Sequence, residues 1–113
     1  MEEPMPSPLP EPTNVYLYTL RPTRIAILTE GPTEAEAAVV GQHWAYTQDL
    51  LARGILIFGG RTLVTTDESF AAIVIRAATE QAAREIMESD PAVQAGFFAA
   101  KLYPFQAMLM GTL

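Results

Sequence analysis

Apolar residues recur at spacings of three and four along residues 31–54, GPTEAEAAVVGQHWAYTQDLLARG, which predicts an amphipathic helix. Thr33 with Glu36 three residues later is a capping-box signature for its start. Arg53 followed by Gly54 predicts its end, because a cation suits the negative end of the helix dipole and glycine tolerates a left-handed backbone. The face expected to pack against a sheet comprises Ala37, Val40, His43, Trp44, Thr47, Leu50 and Leu51.

Four further segments are rich in the β-branched, aromatic and other apolar residues that are typical of strands. They are residues 14–20, 55–58, 70–77 and 97–111. Gly59-Gly60 is expected to end the second strand, and Pro104 to break or bulge the last one. The second and third strands are expected to form an antiparallel hairpin.

A second helix is predicted after Thr79, which is a favourable N-cap residue. It should end at Asp90-Pro91, because the residue before a proline avoids helical geometry, and a short turn should follow. The element order is then β-α-β-β-α-β, an α+β, ferredoxin-like arrangement in which both helices cover one face of a four-stranded antiparallel sheet. The buried face of this second helix is expected to comprise Ala82, Ala83, Ile86 and Met87.

Apolar side chains occupy both faces of the predicted strands, so the face without helices would expose a large apolar patch to water. Packing against the same face of a second copy would remove that patch. We therefore expect a homodimer formed through the sheet faces.

The connection over residues 21–33 is long for a compact domain and contains an apolar insert, Ile25 to Leu28. Two interpretations remain open at this point. In the first, the insert packs against the protein's own edge. In the second, Arg21 or Arg24 points into a pocket.

The chain has 113 residues, which is enough for one domain with a single core. Residues 1–13 hold five prolines and three glutamates, a composition that favours an extended, disordered tail. The folded domain is therefore expected to span residues 14–113.

Charge and composition exclude several classes of function. Of the thirteen acidic residues three lie in the tail, which leaves ten against seven scattered basic residues, so no basic patch for nucleic acid is expected. There is no cysteine for disulfides or thiol chemistry, and no apolar run near the roughly 20 residues of a membrane helix. We expect a soluble, cytoplasmic protein.

Few residues are suited to catalysis. No serine has a nucleophile-elbow context, and no phosphate-binding glycine loop is present. One histidine without cysteine argues against a transition-metal site, so we expect neither cofactor nor metal. In a ferredoxin-like domain the end of the second helix lies beside the first, so Asp90 could reach His43. Such a pair makes a general base near neutral pH. The alternative is a satisfied core histidine and an aspartate that only ends a helix.

Several segments together resemble the YciI-like (YCII-related) proteins of the dimeric α+β barrel superfamily. They are GQHWAYTQDLLARG around His43, ILIFGG, Asp90-Pro91 in ESDPAVQAGFF, and Tyr103-Pro104-Phe105. Their combined order covers nearly all of residues 14–105, while the first loop is longer than in the shortest members.

The resemblance implies a ferredoxin-like protomer that dimerises through its sheets and has one pocket per protomer, with a His-Asp dyad at His43 and Asp90. It also implies cofactor-free acid-base chemistry on small aromatic substrates, including dehydrochlorination of a chlorinated hydroquinone. A lyase-type elimination is therefore the first hypothesis.

Three functions follow from this reading. In an acid-base enzyme, His43 abstracts a proton, Asp90 orients the imidazole, and Arg24 or Arg61 holds a substrate anion. In a non-catalytic small-molecule-binding or stress-associated module, the same pocket only holds a ligand. The third function is a cofactor-free quinol monooxygenase. Aromatic residues that could line the pocket are Tyr18, Trp44 and Phe105.

Overall fold

The computed structural model describes residues 14–113, so the predicted tail at residues 1–13 lies outside the described residues. The strands form one antiparallel sheet in the order β2-β3-β1-β4, which confirms the predicted ferredoxin-like α+β fold. The elements are β1 (Val15–Pro22), α1 (Ala26–Thr29), α2 (Glu34–Ala52), β2 (Leu56–Arg61), β3 (Ala71–Arg76), α3 (Glu80–Glu88), α4 (Pro91–Gln94) and β4 (Phe98–Pro104).

The core lies between one face of the sheet and α3. Alternation along β1 places Tyr18 and Leu20 on the same face, and the register sets Tyr18 opposite Ile73 of β3. These side chains are buried together with Ala83 and Met87 of α3, two of the four residues predicted for its buried face. The central strands and α3 therefore supply most of the fully buried apolar surface.

The ends of α2 are those predicted from local chemistry. The Thr33 hydroxyl accepts a hydrogen bond from the Glu36 N–H, and the Glu36 carboxylate accepts one from the Thr33 N–H, so the capping box is complete. Arg53 is the C-cap residue, and Gly54 follows with φ of +72°.

The predicted apolar face of α2 is only partly buried. Leu50 near its end is 1% exposed, whereas Trp44 and Leu51 are 65% and 54% exposed. The apolar residues of α2 are spread widely around the helix, so they do not seat it against the sheet along its whole length. A cavity remains between the helix and the sheet.

The segment before α2 is shorter and more regular than predicted. β1 continues through Pro22, and the apolar insert of the connection forms the single helical turn α1. The prediction that Gly59-Gly60 ends β2 was wrong, since the strand runs on to Arg61, which pairs with Ala71. Glycine retains its backbone donor and acceptor, so it can continue a ladder that a neighbouring strand supports.

The region after α3 also differs from the prediction. The turn after Asp90 is the short helix α4, with Asp90 as its N-cap residue. The prediction that β4 extends to residue 111 was wrong, because the strand ends at Pro104. Pro104 pairs with Tyr16, one residue from the start of β1, so the partner strand ends at the same point.

Among residues 14–113, no helix combines the length and the apolar character that crossing a bilayer requires.

We predict that Leu50→Ala lowers the free energy of unfolding by about 2–5 kcal/mol, because it leaves a cavity at the fully buried attachment point of α2. The matched control is Leu63→Ala, since Leu63 is 85% exposed and its truncation should cost less than about 0.5 kcal/mol. Urea unfolding followed by circular dichroism measures both. Equal losses in the two variants would show that Leu50 does not anchor the helix.

Candidate active site

A cavity of about 700 Å³ lies between α2, the turn α1 and the helix-covered face of the sheet. Its walls are mostly apolar, and such cavities are the usual sites for small organic ligands. Its apolar lining includes Ile27 and Leu28 of α1, Val40, Trp44 and Leu51 of α2, and Leu20, Leu56, Phe58, Ile73 and Phe98 of the sheet.

His43 lies at the boundary between this cavity and the protein interior. Its side chain is 21% exposed, and the residue forms part of the cavity wall. Its Nδ1 atom lies 2.8 Å from Oδ1 and 2.9 Å from Oδ2 of Asp90. Within residues 14–113, Nε2 has no hydrogen-bond partner. The ring therefore meets Asp90 with one nitrogen and leaves the other free to meet a ligand.

Asp90 has no exposed surface, and hydrogen-bond donors surround its carboxylate. The Tyr18 hydroxyl donates to Oδ2 at 3.0 Å, and the Ala92 N–H donates to Oδ1 at 3.0 Å. An ionised carboxylate accepts hydrogen bonds and donates none, so the atom of His43 that faces it must be a protonated Nδ1. We therefore assign the Nδ1–H tautomer to neutral His43, which places the basic lone pair on Nε2.

Tyr18 was predicted to contact a substrate, but it lies beneath the cavity rather than in its wall. It is fully buried, and its hydroxyl is used by Asp90. Burial, and then the negative charge of Asp90, raises the pKa of Tyr18 far above its ordinary value, so the hydroxyl keeps its proton. Alternation along β1 places Tyr18 on the same face as Leu20, but it does not indicate which polar group the hydroxyl meets.

Arg24 also lies outside the cavity wall, because a carboxylate on the neighbouring helix holds it. Its Nε donates to Oε2 of Glu36 at 3.0 Å, and Nη2 donates to Oε1 of Glu36 and to the Gly31 carbonyl. The guanidinium, followed by the Thr33 N–H, lowers the pKa of Glu36 to about 2. Arg24 therefore links the connection that contains α1 to the first turn of α2 through an ion pair.

Arg21, the other cation considered for the pocket, lies against the Phe70 ring. Its Cζ atom is 5.2 Å from the ring centroid, and Nη1 donates to the Ser69 carbonyl at 3.4 Å. Both Ser69 and Phe70 line the cavity, so Arg21 supports this part of the wall from outside.

Arg61 and Trp44 are the predicted ligand-contacting residues that do lie in the cavity wall. Arg61 makes no ion pair within the described part of the chain. In residues 14–113 there is also no group of three or more His, Asp or Glu side chains placed to hold a metal ion. The cavity thus combines a histidine, a cation without a carboxylate partner among residues 14–113, and aromatic walls.

Sequence reasoning missed several residues of the wall. Ile27 and Leu28 belong to the apolar insert that the sequence indicated, but their place in the wall of a cavity was not predicted. Thr47 was expected to pack against the sheet and instead faces the cavity, while Gln48 and Ser69 had no distinguishing signal.

The chain is similar to a known protein family and to a solved structure. A model of the YCII-related domain matches residues 17–105. Among solved structures, the chain is similar to 5-chloro-2-hydroxyhydroquinone dehydrochlorinase (TftG) from Burkholderia phenoliruptrix AC1100, in complex with 2,5-dihydroxybenzoquinone. The chains are 22% identical with a TM-score of 0.58, and the match covers 80% of this chain and 93% of that chain. No curated protein matches this chain. The structural similarity supports the fold.

The Arg24–Glu36 pair predicts a component of acid sensitivity. The folded-state pKa of Glu36 is about 2 and its ordinary value is 4.5, so ionised Glu36 stabilises the folded state above about pH 4.5. That contribution is lost as the pH falls from 4.5 towards 2. We expect Glu36→Gln to remove it, so that its unfolding free energy changes less over this range than that of the wild type.

Urea unfolding at a series of pH values between about 6 and about 2.5 measures this difference. Glu34→Gln is the matched control, because Glu34 lies in the same first helical turn and is exposed. Parallel pH curves for the wild type and Glu36→Gln would contradict the assignment.

Proposed function

The chain belongs to the YCII-related domain family, and on that premise we propose that it is a cofactor-free acid-base enzyme of the lyase type. Its proposed substrate is a small molecule, and the first compounds to test are aromatic ring compounds. The catalytic residues are His43 and Asp90. The observation that carries the proposal is the hydrogen bond from Nδ1 of His43, a residue of the cavity wall, to the buried Asp90.

In the proposed reaction, Nε2 of His43 removes a proton from a phenolic or carbon acid. In an elimination, the electron pair of the broken bond forms a new double bond, and the leaving group departs with the electron pair of its own bond. The imidazolium that forms is stabilised by the Asp90 carboxylate at 2.8 Å. General base catalysis of this kind contributes roughly 100 to 10,000-fold to a rate.

The residues of the cavity wall suit a ring compound that carries a negative charge or acquires one during the reaction. Trp44 offers an aromatic surface, and Arg61 offers a cation without an ion-pair partner among the described residues. Charge developing on a phenolate or enolate would be stabilised by such a cation. The ligand in the structure of the similar dehydrochlorinase, 2,5-dihydroxybenzoquinone, is a small ring compound and supports the same class.

The proposal includes a homodimer formed through the face of the sheet opposite the helices. The register places Leu17 of β1 between Val74 of β3 and Tyr103 of β4, so an apolar row crosses three strands on that face. Leu17 and Val74 are half-buried, and Tyr103 is 44% exposed. A second copy packed on this row would remove it from water.

We predict that Leu17→Glu converts a dimer to a monomer, because it places a charge in the middle of the buried face. The dissociation constant should rise at least about a hundredfold. Sedimentation equilibrium measures the mass of the assembly, and circular dichroism verifies that the variant is folded. Leu63→Glu is the control, because Leu63 is 85% exposed in the loop after β2. A monomeric wild type, or a folded dimeric Leu17→Glu variant, would rule out this interface.

For the reaction itself, we predict that His43→Gln lowers turnover about 100 to 10,000-fold and changes ligand affinity only a few fold. Glutamine is similar in size but has no basic nitrogen at neutral pH. Chlorinated and unchlorinated hydroquinones, each with a carboxylated analogue to engage Arg61, form the first substrate panel. Chloride release measures turnover, and calorimetry measures binding. Gln42→Ala, an exposed neighbour on α2, should retain full turnover.

The same panel separates the alternatives. A binding or stress-associated module would bind a ring compound without converting it. A cofactor-free quinol monooxygenase would consume one oxygen molecule per quinol without releasing chloride. Either result with the wild-type protein would replace the lyase proposal.

A further inference from the structure

The Tyr18 hydroxyl, which is not part of the cavity wall, donates to Asp90, and Asp90 in turn contacts His43, so the three side chains form a chain of hydrogen bonds that leads to the cavity. We propose that Tyr18 is a positioning residue for the catalytic base: its hydroxyl orients the Asp90 carboxylate towards His43 and stabilises the negative charge that faces the neutral imidazole. This inference rests on the proposed function. Its test, however, is read from His43 itself and not from activity.

The geometry fixes the carboxylate at both oxygens. Tyr18 donates to Oδ2 and the Ala92 N–H donates to Oδ1, each at 3.0 Å. With one donor on each oxygen, the carboxylate presents its open edge to His43, and Nδ1 lies 2.8 and 2.9 Å from its two oxygens. The Tyr18 ring is fully buried in the core, so the hydroxyl has little freedom to move.

The donors from Tyr18 and Ala92 matter because the Asp90 carboxylate is buried without a permanent positive charge beside it among residues 14–113. When His43 is a neutral base, Asp90 carries an uncompensated negative charge with no access to water. The titratable side chains that face it are Tyr18 from β1 and His43 and Tyr46 from α2, and α4 contributes the Ala92 N–H. Within residues 14–113, no lysine or arginine pairs with Asp90. Hydrogen-bond donors therefore take the place of a cation.

The direction of the effect follows from this balance. In the protonated pair, an imidazolium compensates the carboxylate, whereas in the base form only the donors do. Removing the Tyr18 hydroxyl therefore destabilises the base form more than the protonated form. Without the Tyr18 hydroxyl, the pair should therefore release its proton at a higher pH than in the wild type. The free lone pair on Nε2 should appear at that same higher pH.

Nitrogen-15 NMR of the imidazole tests this directly, because His43 is the only histidine and its signals need no assignment. In Tyr18→Phe, we expect the signal of unprotonated Nε2 to appear about one pH unit higher than in the wild type. The hydrogen bond is stronger in the base form than in the protonated form, and a difference of about 1.4 kcal/mol between the two corresponds to a tenfold change in the equilibrium constant. Phenylalanine keeps the buried ring, and a thermal melt verifies the fold.

Tyr46→Phe is the matched control. Tyr46 is a partly buried tyrosine near Asp90, but its hydroxyl donates to the Ile86 carbonyl at 2.7 Å and not to the carboxylate. The same atom is deleted in the same neighbourhood, so a nonspecific effect of losing a hydroxyl would appear in both variants. We expect the Tyr46→Phe signals to follow those of the wild type.

The outcomes separate this inference from the function on which it rests. If wild-type His43 shows no protonated Nδ1 in its neutral form, the hydrogen bond to Asp90 is absent and both proposals fail. If that proton is present but Tyr18→Phe titrates like Tyr46→Phe, only the positioning role of Tyr18 fails. Once a substrate is known, Tyr18→Phe should shift the pH profile of kcat to higher pH by the same amount and leave KM unchanged.

Discussion

A carboxylate without exposed surface destabilises a protein unless hydrogen-bond donors replace the water that it has lost, and Asp90 is in this position. Its donors come from three separate elements: Tyr18 on β1, His43 on α2 and Ala92 on α4. These elements must therefore be correctly placed at the same time, or a buried charge is left without compensation. The hydrogen bonds that form the candidate active site also fix how α2 and α4 lie against the sheet.

The cavity is a consequence of how α2 is held. Helix α3 separates its apolar and polar faces sharply and packs directly onto the core, whereas the apolar residues of α2 are distributed around the helix. Leu50 anchors the end of α2, and His43 attaches its middle to Asp90 through a polar contact. Between these points Trp44 remains 65% exposed, and space is left above the sheet. An apolar ligand that fills this space would displace water from apolar walls.

Features that depend on local chemistry could be predicted from the sequence, and features that depend on a distant partner could not. The Thr33–Glu36 capping box and the Thr79 cap involve neighbours within three residues, and the helices begin where these patterns indicate. The end of β4 depends instead on where β1 begins, and β2 continues through two glycines because β3 lies beside it. The length of these strands depends on the strands with which they pair, so it cannot be predicted from the residues of one segment alone.

The same distinction applies to the site. The contact between His43 and Asp90 was one of two interpretations that the topology allowed, and the resemblance to the YCII-related proteins favoured it over a core histidine and a helix-ending aspartate. The partner of Arg24 could not be predicted, since Glu36 lies beyond a glycine-proline turn and also serves as the capping-box carboxylate. A guanidinium already neutralised by a carboxylate gains little from a ligand anion. Arg61 has no such partner in residues 14–113 and lies in the cavity wall, so it is the cation whose charge a ligand can use.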